Sequence, residues 1–141
     1  MEGLWERYAG ARFVPTAFPL RTLLDTHATV AFGTDWPVVQ LNPLLGIRNA
    51  VLRQSADGRP EGGYVPAQRI SVAEALRAYT LDAAYASRVD TREGSVAPGK
   101  LADLAVFSVN FVEGESRDIG KAHVVMTFVG GDLAFSAAQP D

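Results

Sequence analysis

The chain has 141 residues, 48% of them apolar, and its 13 basic and 16 acidic side chains leave a net charge of -3. That length suits one domain of ordinary size with a real core, and without a basic stripe nucleic acid is not expected as a partner. The absence of cysteine excludes disulfides, thiolate metal sites and thiol nucleophiles.

The N-terminal Met1-Glu-Gly-Leu-Trp-Glu-Arg lacks the basic-then-apolar layout of a signal peptide. No apolar run approaches the ~20 residues of a membrane-spanning helix, so a cytoplasmic protein with no membrane partner is expected. Leu4, Trp5 and Tyr8 suggest a short helix over 2–9. Pro19 suits the first turn of a helix running to about His27, with Leu20, Leu23 and Leu24 on its apolar face. The run Thr29-Val30-Ala31-Phe32 is apolar on both faces, as in a buried parallel strand. It opens into Gly33-Thr34-Asp35-Trp36-Pro37, and α/β enzymes carry their chemistry where a buried strand opens into a loop.

Asn42 caps a predicted helix that opens with Pro43 and ends near Gln54. Residues 55–69, dense in Gly and Pro, read as a long loop. Ser71-Val72-Ala73-Glu74 is a capping box for the next helix, and Thr80 is placed to cap a following turn through Ala83, Ala84 and Tyr85. From residue 94 the texture becomes short strands and turns: a Pro98-Gly99 turn, a strand over Leu101–Phe107, and a polar loop at 108–121. A hairpin follows, formed by Val124–Val129 and Leu133–Phe135 around Gly130-Gly131-Asp132. A boundary is expected near residue 92, with α/β structure over 1–92 and a β-rich segment over 93–141.

Local sequence leaves two readings of Asp35 open. It is a turn carboxylate bonded to backbone amides near Pro37, or a metal ligand or general base facing a cleft. Trp36 is a candidate wall of a substrate pocket, with core packing equally open. Asp103 is expected to fasten the Pro98-Gly99-Lys100 turn, and Lys100 to be a solvated turn residue. Tyr79, Tyr85 and Thr80 read as packing residues. His27 fits a helix C-terminus, where the dipole favours it, and His123 precedes the hairpin; neither is assigned to metal.

The motif series extends over nearly the whole chain. Val-Ala-Phe-Gly-Thr-Asp-Trp-Pro-Val around Asp35 is followed by Asn-Pro-Leu-Leu-Gly-Ile at 42–47. Ile-Ser-Val-Ala-Glu-Ala-Leu-Arg-Ala-Tyr-Thr at 70–80, Gly-Ser-Val-Ala-Pro-Gly-Lys-Leu-Ala-Asp at 94–103 and Val-Met-Thr-Phe-Val-Gly-Gly at 125–131 complete it. In this order and spacing the segments resemble the C-terminal portion of the amidohydrolase superfamily, in the subgroup of N-substituted formamide deformylases and YtcJ-like hydrolases. The resemblance implies an α/β fold: the last strand and helices of a metal-dependent (β/α)8 barrel, beside part of a small β-sandwich. It implies hydrolysis of a carbon–nitrogen bond in a small, non-peptide amide substrate. It also implies a divalent metal, zinc foremost, and a catalytic, metal-bound aspartate that takes the proton of the water. Asp35 alone matches that role.

Members of that superfamily also use a His-x-His pair and further histidines, whereas this chain has two histidines in all and no such pair. A whole barrel needs ~250 residues. Activity of this chain by itself is therefore not expected. Homo-oligomerisation or association with the missing barrel half is, because a strand at 29–33 calls for neighbours. A non-catalytic binding or oligomerisation module is the alternative. A metal site built from His27 and Asp35 of several copies is disfavoured by the strand between them.

Overall fold

Two capped helices organise the molecule. Asn42 accepts the amide of Leu44 at 3.0 Å through its side chain, and Pro43 occupies the first position of helix α2 (Pro43–Leu52). Ser71 and Glu74 form the full capping box of helix α3 (Val72–Tyr79), with Glu74 N–H donating to Ser71 Oγ at 3.2 Å and Ser71 N–H to Glu74 Oε2 at 2.7 Å. The shorter helices are α1 (Leu20–Asp25) and α4 (Leu81–Ala86). A computed structural model describes residues 7–8 and 10–137. Of the helix expected over 2–9, residues 7 and 8 are helical and the other positions lie outside the described residues.

Three antiparallel strands follow in the order β1 (Leu104–Phe107), β2 (Val124–Val129), β3 (Asp132–Ser136). Leu104 pairs with Phe128, and Val129 with Asp132. The β2–β3 link has φ of 60° at Gly130 and 94° at Gly131, the left-handed pair that a two-residue hairpin turn requires. Among the described residues no helix is long and apolar enough to cross a membrane.

The core lies between α2, α3 and the segment before β2. Leu44, Ile47, Ala50 and Val51 of α2 pack with Ile70, Val72 and Ala75, and with Phe111 and Ile119 from beyond residue 92. Phe111 and Ile119 are 2% and 1% exposed, and each such burial contributes about 1.5–3 kcal/mol. Residues 108–121 were expected to be polar loop; a 3-10 turn (Ser116–Lys121) lies there and packs against α2. Its surrounding polar residues hide two core side chains.

Several local expectations are corrected. Residues 28–33 take no regular secondary structure and belong to no ladder, because among the described residues no neighbouring strand runs beside them. The backbone bonds in this stretch are Ala28 N–H to Leu23 O at 3.1 Å and Phe32 N–H to Ala78 O at 2.9 Å. Thr80 Oγ1 does not cap α4; it donates back to Leu76 O at 2.8 Å and closes α3. Asp103 fastens a different turn from the expected one, accepting the Gly130 amide at 2.6 Å and so bracing the β2–β3 hairpin. Lys100 is a clamp, its Nζ donating to the carbonyls of Asp90 and Glu93.

Helix α1 is tied to the start of α3 by charge. Arg21 grips Glu74 through two bonds of 3.0 and 2.8 Å and reaches Asp25 at 2.9 Å. The Arg21 guanidinium, and then the Ser71 bonds, hold the Glu74 carboxyl at about 2, below its ordinary 4.5. A depressed carboxyl contributes stability that is complete above pH 4.5 and is lost as pH falls through about 2. Glu74→Gln should cost about 1–2 kcal/mol at pH 7 and flatten the acid limb of the stability profile in urea melts. An acid limb identical to that of the parent protein would refute the Arg21–Glu74 assignment.

Candidate functional site

Asp35 stands at the end of the apolar run, just beyond Phe32 and Gly33. Phe32 is seated twice. Its amide bonds Ala78 O, and its ring meets Tyr79 edge-on at 5.3 Å between centroids. The chain then reverses: Asp35 adopts a left-handed φ of 50°, and its carbonyl accepts the Val38 amide at 2.8 Å. Aspartate tolerates this region better than most side chains, and such conformations gather at functional sites. The backbone carbonyl, not the carboxylate, closes the turn. The carboxylate is exposed and makes no hydrogen bond among the described residues, so the turn-carboxylate reading loses its geometric basis.

Trp36 is 65% exposed, and Val38, Val39 and Leu41 after it are exposed too. Trp36 thus lies outside the packed core, and it lines neither of the two cavities described below. His27 lies in the turn after α1, and His123 Nδ1 is 3.1 Å from Ser108 Oγ beside β2. Among the described residues no three His, Cys, Asp or Glu side chains gather as a metal site would require. One carboxylate does not constitute a metal centre, and the donors among the described residues do not assemble one.

Two residues before Asp35, Gly33 lines a cavity of about 480 Å³ between the apolar run, α2 and the loop after α2. Four aromatic residues (Phe18, Phe32, Tyr64 and Tyr79) contribute to its walls, with Arg53 and Arg59 among the polar residues. A smaller apolar recess of about 350 Å³ shares Phe18 and Tyr64.

Arg53 caps α2 at a left-handed φ of 57° and is 8% exposed. Its Nε donates to Tyr64 O at 2.9 Å, and its terminal nitrogens donate to Phe18 O at 3.3 Å and Ala17 O at 3.1 Å. Burial pushes its guanidinium down from the ordinary value. Burial likewise raises the Tyr79 hydroxyl, which has no hydrogen-bond partner among the described residues. Asp82, 6% exposed, is a structural acid paired with Arg77 at 3.1 Å. Of the cavity residues, Leu20, Phe32, Gly33 and Tyr79 stood out in the sequence, whereas Phe18, Arg53, Arg59 and Tyr64 did not. The single local signal for Arg53 was its place just past a predicted helix, before a Gly-rich loop.

This mixed α/β chain belongs to the amidohydrolase family, whose sequence profile matches residues 2–135. It is 39% identical to Protein LONG AFTER FAR-RED 3 of Arabidopsis thaliana over 126 residues, 89% of this chain and 21% of that protein. It is 32% identical to the N-substituted formamide deformylase of Arthrobacter pascens, over 84% of this chain and 21% of the enzyme. The fold matches an amidohydrolase from Thermotoga maritima with a TM-score of 0.63 at 22% identity, covering 85% of this chain and 26% of that one. The chain thus spans about a fifth of the length of the curated relatives it matches.

The approach of α2 to α3 at the cavity depends on Gly46. A Cβ there would lie 1.9 Å from the Tyr79 hydroxyl oxygen and 2.9 Å from its ring carbon. Gly46→Ala should destabilise the protein by about 1–3 kcal/mol, as overpacking does. Tyr79→Phe should restore part of that loss, with a coupling of about 0.5 kcal/mol or more in a double-mutant cycle of denaturant melts. Strict additivity would refute the contact.

Proposed function

We propose that this chain supplies the last-strand aspartate of an amidohydrolase that cleaves a carbon–nitrogen bond in a small, non-peptide amide. The observation that carries the reading is the exposed carboxylate of Asp35, without a hydrogen bond among the described residues and presented in a left-handed turn after the apolar run, in a chain of this family. Asp35 is cast as the group that takes a proton from attacking water and returns it to the leaving amine. A positioned acid–base group of this kind contributes about 10²–10⁴-fold to rate.

In this reading residues 1–92 carry the closing part of a (β/α)8 barrel, and 93–141 carry part of a β-sandwich. The remaining barrel strands come from another polypeptide segment. Two surfaces support that association. In the run over 28–33 only the amides of Ala28 and Phe32 are bonded to backbone among the described residues, and Trp36, Val38, Val39 and Leu41 lie exposed beside it. On the sheet, Met126, Val129, Leu133 and Phe135 are likewise exposed. A divalent metal, zinc in the first instance, would take its other ligands from that second segment. An N-substituted formamide is the first substrate to try, by likeness to the Arthrobacter enzyme.

Metal analysis and turnover assays test the reading together. After dialysis the 141-residue chain alone should retain no stoichiometric zinc and hydrolyse no formamide. Its complex with a polypeptide supplying the preceding barrel strands should do both. In that complex Asp35→Asn should lower kcat by about 10²-fold or more with the complex intact. Retained kcat would remove Asp35 from the chemistry. Stoichiometric zinc in the isolated chain would overturn the division of ligands between two segments.

A further inference from the structure

The cavity beside Gly33 has a charge balance that its structural role does not require. Among the described residues two arginines line it and no acidic residue does. A guanidinium has five N–H donors. Arg53 spends three of them on the carbonyls of Tyr64, Phe18 and Ala17, which leaves two without an acceptor among the described residues. Among the described residues no carboxylate pairs with Arg53, although a buried cation is costly without a compensating anion.

Arg59 also lines the cavity and forms no ion pair among the described residues. Asp57, the acid between the two arginines in sequence, is committed elsewhere. It accepts from Ser55 Oγ at 2.5 Å and from the Arg59 amide at 3.3 Å. Aromatic faces complete the site, and its size of about 480 Å³ falls within the range of small-molecule pockets.

We propose that this cavity is a binding site for a small aromatic carboxylate, its anionic group received by Arg53 and Arg59 and its ring lying among Phe18, Phe32, Tyr64 and Tyr79. The carboxylate takes the two spare Arg53 N–H donors, and a planar guanidinium is shaped for such a bidentate contact. The Tyr79 hydroxyl offers a further donor. The site goes beyond the hydrolytic reading: it is built from this chain's own residues and needs neither metal nor turnover.

Titration calorimetry of the 141-residue chain with 2-naphthoate, against its neutral isostere 2-naphthamide, tests the assignment directly. Naphthoate should saturate one site and bind about ten-fold tighter than the amide, the margin expected of charge-assisted hydrogen bonds. Arg59→Gln, at an exposed rim position whose melting temperature should not change, should weaken naphthoate several-fold and leave naphthamide untouched. Inorganic phosphate at matched ionic strength should compete poorly, since it lacks the ring. Equal affinity for acid and amide, no saturation below ~10 mM, or displacement by phosphate as effective as by naphthoate would each overturn the site. None of these outcomes bears on Asp35, so the hydrolytic reading stands or falls separately.

Discussion

The fold depends on a buried cation held by backbone oxygen. Arg53 ends α2 in a left-handed conformation that costs a side-chain-bearing residue about 1–2 kcal/mol. Glycine usually takes that place. The arginine is kept there because its guanidinium reaches carbonyls on both sides of the site: Ala17 and Phe18 before α1, and Tyr64 in the long loop. Arg48 and Arg69 extend the same device, donating to the carbonyls of Gln54 and Ser55, and of Leu52 and Gly62. Three cations at the negative end of α2 also complement its dipole. The loop over 53–71 therefore owes its order to arginine–carbonyl bonds more than to apolar burial.

Such bonds explain why sequence reading succeeded for some features and failed for others. The Asn42 cap and the Ser71–Glu74 box join partners two or three residues apart, so their geometry is written in the local sequence. The hairpin around Gly130-Gly131 is legible for the same reason. Arg53 finds its acceptors 11, 35 and 36 residues away, and no local pattern announces that. Asp103 looked bound to the turn beside it, yet its acceptor oxygen serves an amide 27 residues on. Phe111 and Ile119 sit among charged and polar neighbours, so residues 108–121 read as solvent-facing although these two side chains fill the core against Ile47.

The apolar run at 28–33 is a different case. Its apolar content reads as a segment made for burial between neighbours, and it leads directly into Asp35. A ladder, however, is a property of pairs of strands, and composition cannot supply the second member. What the run has instead is one amide bond to each of α1 and α3 and one aromatic contact. Exposed Trp36, Val38, Val39 and Leu41 continue the uncovered surface past the turn. Polar solvent meets there the kind of apolar area that elsewhere marks an interaction face.

Gly46, Tyr79 and Phe32 connect the two candidate sites mechanically. Gly46 lets α2 close on the Tyr79 hydroxyl, Tyr79 receives the Phe32 ring, and Phe32 sets the direction in which the chain enters Gly33-Thr34-Asp35. The same three residues wall the cavity. Interiors packed this closely transmit strain rather than absorb it, so the contact of Gly46 with Tyr79 and of Tyr79 with Phe32 forms a single layer of side chains between α2 and the segment that carries Asp35.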